Sequence, residues 1–209
     1  MIIHFIKRML KCCEAVAMVE FALVFPLLLL TIFGGVELAN YAVAHNRINQ
    51  MAMTVADNAG RIPVAVDEAN IYEVFAGVEV IGEPLDFEKR GRVVLSSLHE
   101  NREKDSRKGQ MIGWQRCWGD LDISSAYAEE NDGKSDASLK DGLGASGNRI
   151  TAAPDTAVMF AEVTYLYKPI VSAFWSGPAE IRHESAFNVR GRVNQSISNG
   201  NRLDVMRCN

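Results

Sequence analysis

The chain has 209 residues, 23% of them charged and 48% hydrophobic, with a formal net charge of -4. That length supports one modest core besides any anchor. The acid excess and the scattered lysines and arginines exclude a nucleic-acid groove, which needs a basic stripe, so the charge serves solubility.

The first element is apolar. From Ala15 to Val36 the only charged residue is Glu20, and a helix needs about 20 mainly apolar residues to cross a bilayer. Lys7, Arg8 and Lys11 precede the run against the single acid Glu14, and the first base after it is Arg47. This asymmetry puts the N-terminus in the cytoplasm and most of the chain beyond the membrane. A carboxylate inside such a run costs about 2.5 to 3.5 kcal/mol on insertion scales. Glu20 therefore either has a partner or function, or snorkels to the headgroups. The rival reading is a cleaved signal peptide, because "AVA" at Ala42 to Ala44 imitates its cleavage site. Against it, the segment from Phe21 to Val36 is at the upper limit of the apolar region of such a peptide, and Glu37 intervenes.

Leu38, Tyr41, His45, Ile48, Ala52, Val55 and Ala59 recur at spacings of three and four, the mark of one helical face. The expected order is thus a basic N-terminal flank, a transmembrane helix at 16–37 and its amphipathic continuation at 38–60, ending where "RIP" begins. Pro26 should kink the span.

An α+β domain is expected over 61–209. Residues 66–80 read as a short helix with Ala69, Tyr72 and Ala76 on one side. "RVVLSSLHE" from Arg92 and "QMIGWQRCWG" from Gln110 read as antiparallel strands about a charged connection. "TAVMFAEVTYLYKP" from Thr156 places Met159, Ala161, Val163, Tyr165 and Tyr167 on one face, and the stretch from Ala179 alternates likewise. A small antiparallel sheet packed on a long helix follows. Residues 120–154, rich in Ser, Asp, Gly and Ala, read as a long mobile loop.

Little points to catalysis. "GLGASG" from Gly142 to Gly147 matches a dinucleotide fingerprint, but no strand precedes it, so a linker is expected. His4, His45, His99 and His183 lack short-spaced metal-ligand companions, so no metal is expected. No nucleophile-elbow, zinc-protease or phosphate-loop pattern occurs, and no cofactor is implied. Cys12 and Cys13 lie on the cytoplasmic flank, whereas Cys117 and Cys208 would face an oxidising periplasm. A Cys117–Cys208 disulfide is favoured over two unpaired buried thiols.

"AVAMVEFALVFPLLLLTIFGGVELAN", residues 15–40, closely resembles the N-terminus of TadE-like proteins, the pseudopilins of bacterial tight-adherence (Flp) pilus systems. The shared order is small residues, V-E-F-A-L-V, proline with a leucine run, then G-x-x-E-L; "WQRCWG" and "VTYLYKPI" also look like that family. The resemblance implies a non-enzymatic, single-pass inner-membrane component of pilus biogenesis or its secretion apparatus. The resemblance further implies that residues 1–15 are a cytoplasmic leader that a prepilin-type peptidase would remove by cutting between Ala15 and Val16, making Glu20 the fifth residue of the mature chain, with Ala15 standing where the family usually has glycine. Other pilus or pseudopilin subunits, the inner-membrane assembly platform and the lipid bilayer are the implied partners. A periplasmic or secreted binding module with a cleaved signal peptide is the alternative.

Overall fold

The computed structural model describes residues 13–171, 179–192 and 194–208. The expected leader, including Lys7, Arg8, Lys11 and Cys12, lies largely outside the described residues. Helix α1 covers Cys13–Arg61 with Pro26 inside it. Strand β1 (Val66–Asp67) leads into α2 (Glu68–Gly82), and a 3-10 turn, Glu83–Leu85, precedes α3 (Phe87–Arg90). Strands β2 (Gly91–Glu100), β3 (Gln110–Trp118), β4 (Ala157–Tyr167), β5 (Ala179–Asn188) and β6 (Ile197–Ser198) complete the chain. The fold is α+β: a long N-terminal helix followed by an antiparallel sheet of order β3-β2-β4-β5. One unit runs to Ala42 and includes the segment beginning at Lys168; the other comprises Val43–Tyr167 and Pro178–Asn209.

In the second unit the sheet is covered on both faces. Strand register puts Leu95, Ala161 and Ser185 on one face, together with Val93, Val163 and His183. The last turns of α1 pack there, with Ile48, Met51, Ala52, Val55 and Ala59 fully buried. Arg190 donates its backbone N–H to the Gly60 carbonyl at 3.1 Å, and a Cβ on Gly60 would stand 3.3 Å from the Asn188 carbonyl oxygen. The expected stripe thus holds from Ile48 onward. Leu38, by contrast, is 68% exposed in the first unit.

His45 Nδ1 and His183 Nε2 stand 3.2 Å apart where α1 crosses β5. Burial, and secondly the nearby His45, hold the pKa of His183 below its ordinary value. A lowered folded-state pKa gives stability that is complete above the unfolded value and is lost as pH falls through the folded one. Thermal stability is therefore expected to fall as pH drops below about 6.5, the ordinary histidine value, and less steeply in His183→Gln, as a pH series of melting curves would measure.

Helix α2 starts on a reciprocal cap. Asp67 accepts from the Ala69 N–H, while the Asn70 side chain accepts from the Asp67 N–H, both at 3.1 Å, satisfying two donors that a helix start leaves open. Asp67 also accepts from the Gly200 N–H and the Ser198 hydroxyl, tying β6 beside β1. These bonds, the Gly200 one foremost, lower its pKa. The buried face of α2 carries Ile71, Val74, Phe75 and Val78, while the side with Ala69, Tyr72 and Ala76 is half-buried to exposed. The larger aliphatic and aromatic side chains remove more area from water, and burial follows area.

Residues 120–154 also differ from expectation. They contain no long element, yet they cover the other face of the sheet. Ala128, Leu143 and Ala152 are buried against Leu98, Ile112, Val158 and Phe160. Polar side chains pin the covering backbone: Asn101 Nδ2 reaches the carbonyls of Gly133 and Asp136, and Gln110 exchanges two bonds with Ala152. Glu162, buried in β4, accepts from the Ser125 hydroxyl and the Ala126 N–H and pairs with Arg182. The sheet supplies the large apolar groups, so its cover needs few of its own.

The glycine-rich match within that cover has a structural use. Leu143 and Ile150 pair as an antiparallel bridge. Gly142 has φ +89°, and a Cβ there would lie 2.2 Å from the Ile150 carbonyl oxygen, so glycine is required for this close turn.

Candidate functional site

The sequence-derived candidates fall in two places. Ala15, Val16 and Glu20 are near the start of α1, and Val16 is 46% exposed. Cys117 and Cys208 lie in the second unit, joined by a disulfide with Cα atoms 4.9 Å apart. The Cys117 N–H donates to the Met206 carbonyl at 2.8 Å, and Arg92 donates to the Cys208 carbonyl at 3.1 Å. The bond thus fastens the C-terminal tail to edge strand β3.

From Val16 to Val36, Glu20 apart, α1 is apolar on every side. Met18, Phe21, Leu23, Leu27, Leu30 and Phe33 are all exposed although they point in different directions round the helix. A helix apolar all round needs an apolar environment, and this one fits a single-pass membrane anchor by length and composition. Glu20 is exposed within the same stretch. Pro26 removes one backbone donor and leaves the Ala22 carbonyl without its usual partner. Thr31 returns its hydroxyl to the Leu27 carbonyl at 2.8 Å, so its polar group is satisfied within the helix.

The opposite end of the run holds a residue that sequence reasoning used only as a boundary. Glu37, immediately after Val36, is 2% exposed. Its Oε2 accepts the consecutive backbone N–H groups of Ile170 and Val171, each at 2.9 Å. These residues follow "YLYKP" at the end of β4. Both motifs, G-x-x-E-L and V-T-Y-L-Y-K-P-I, were legible in the sequence. Their junction was not, because 133 positions separate the partners.

Several charged side chains of the second unit are held in ion pairs. Arg116 is paired with Glu68 and Glu130, and Arg182 is paired with Glu162. A shallow depression of about 290 Å³ is lined by Asn46, Asn49, Gln50, Met53, Thr54, Asp57 and Phe187. Its single carboxylate, Asp57, pairs with Arg61 and Arg190 and has no second titratable group in the lining with which to exchange a proton. No cluster of three potential metal ligands occurs among the described residues.

Comparison with known proteins places the likeness at the N-terminal element. The family model described as TadE-like protein matches residues 15–57. No curated protein and no solved structure matches the chain.

Proposed function

We propose, for a chain whose residues 15–57 match the TadE-like family model, a non-enzymatic role as a membrane-anchored, pseudopilin-like component of tight-adherence pilus biogenesis or its secretion apparatus. The family match supports a Tad-pilus-related component. The observation that carries the finer reading is a mostly exposed apolar helical stretch, Val16 to Val36, holding one acid, Glu20, close to its start. In the proposed topology the anchor lies in the bacterial inner membrane with the N-terminus cytoplasmic and the sheet-bearing unit periplasmic, a reading supported by the bases before the run.

In this reading a prepilin-type peptidase cuts between Ala15 and Val16. Glu20 then meets the new amine of a neighbouring pilus or pseudopilin subunit at the assembly platform, each charge offsetting part of the other's burial cost. Glu20→Gln keeps the shape and removes the charge. It is expected to insert normally but to fail in leader removal or in assembly. Ala15→Gly is expected to mature at least as well as the parent. N-terminal sequencing of membrane-isolated protein, with and without the peptidase, measures maturation, and co-purification of pilus subunits measures assembly. Normal maturation and assembly of Glu20→Gln would reduce Glu20 to a charge snorkelling toward the headgroups.

A further inference from the structure

The carboxylate of Glu37 holds the segment leaving β4 at one level of the helix. Its Oε2 binds two consecutive amides, those of Ile170 and Val171, and Glu37 directly follows the apolar stretch that ends at Val36. If that stretch crosses the bilayer, as the reading above requires, Glu37 stands at the exit of the hydrocarbon. Whatever Glu37 binds stands there too. The segment it binds is suited to that level: Ile170 is 67% exposed, and Lys168, two residues earlier, is exposed as well.

We infer that Lys168–Val171 is a second membrane contact, an interfacial foot clamped by Glu37. In it Ile170 enters the boundary between acyl chains and headgroups while Lys168 faces lipid phosphate. The occupant is the lipid surface because the exposed apolar side chain is continuous with the membrane-spanning surface of the same unit: Val36 and Leu38, on either side of Glu37, are 50% and 68% exposed. Amphipathic side chains gather at this depth because apolar stems and polar heads are both accommodated there. The two charge-assisted bonds to Glu37 have a further consequence. They satisfy backbone donors that would otherwise enter a water-poor region unpaired, where each costs several kcal/mol, and they spread the charge of the carboxylate over two N–H groups. The foot would fix the rotation of the helix about its axis, which a smooth apolar helix leaves free.

This inference rests on the anchored reading, and the experiment separates the two. Full-length protein carrying Cys12→Ser and Cys13→Ser is given Ile170→Cys, labelled with an environment-sensitive fluorophore and reconstituted in phosphatidylglycerol–phosphatidylethanolamine vesicles. A second sample is labelled through Val64→Cys, a 79% exposed position in the other unit. The label at 170 is expected to show blue-shifted emission and several-fold stronger quenching by a headgroup-level lipid quencher than the label at 64. Glu37→Ala is expected to return the label at 170 toward aqueous emission while leaving the protein resistant to carbonate extraction. Aqueous emission at 170 in carbonate-resistant protein overturns the foot and leaves the anchor standing. Blue-shifted emission without lipid quenching also overturns it, showing protein rather than lipid over Ile170. Extraction of the parent by carbonate overturns the anchor and the foot together.

Discussion

Replacement of Glu68 by alanine is expected to lower unfolding stability by about 3 kcal/mol, the lower end of the range for breaking a buried ion pair. Arg116 Nε donates to both carboxylate oxygens of Glu68, at 2.9 and 3.1 Å, and a second nitrogen donates at 2.6 Å. Their side chains are only 6% and 2% exposed. Removal of Glu68 strands a guanidinium that cannot shed its proton. Arg116 still donates to Glu130 and to the Gln115 carbonyl, which is why the lower end applies. Arg116→Met combined with Glu68→Leu removes both charges and fills the space, so it should recover most of the loss. Denaturant titration of the solubilised protein measures both: the midpoint should fall for Glu68→Ala at unchanged slope and return toward the parent in the double variant. Equal losses in the two would mean that packing between α2 and β3, not the stranded charge, sets the cost.

The Cys117–Cys208 bond is expected to contribute up to ~4 to 5 kcal/mol, because it closes a loop of about 90 residues in the unfolded chain. The observed separation is 91 positions, and the bond joins an edge strand to a tail that has only the two-residue β6 as regular structure. Cys117→Ser with Cys208→Ser, made together so that no lone thiol remains, should lower the denaturation midpoint substantially. It should also raise amide exchange at Cys117, whose N–H bonds to the tail at Met206. Alkylation under non-reducing conditions followed by peptide mapping should leave both cysteines unmodified in the parent. Free thiols at both would remove the basis of the expected loss.

The N-terminal element was readable because its signal is local. An uninterrupted apolar run with one acid specifies a helix needing an apolar environment whatever the rest of the chain does, and spacings of three and four carried its core face from Ile48 to Ala59. Strands β4 and β5 were legible for the same reason, since alternation over ten or so residues is a property of each segment alone, and β2 and β3 were legible as two apolar-rich runs about a charged connection. For α2 the sequence marked one side with Ala69, Tyr72 and Ala76 but left open which side is buried, and the structure puts Ile71, Val74, Phe75 and Val78 inside.

Tertiary structure decided what no local pattern carries. Residues 120–154 have the composition of a solvated loop, but the apolar surface they cover belongs to Leu98, Ile112, Val158 and Phe160, and the bonds that pin them come from Asn101, Gln110 and Glu162. Their order depends on side chains up to tens of residues away. Glu37 is the sharper case. By sequence it is an acid at the edge of an apolar run, as Glu20 is, and nothing local distinguishes the two. Only the return of the chain at Ile170 and Val171 gives Glu37 two amide donors and lets it be buried, because a carboxylate leaves water only where hydrogen bonds replace those it loses.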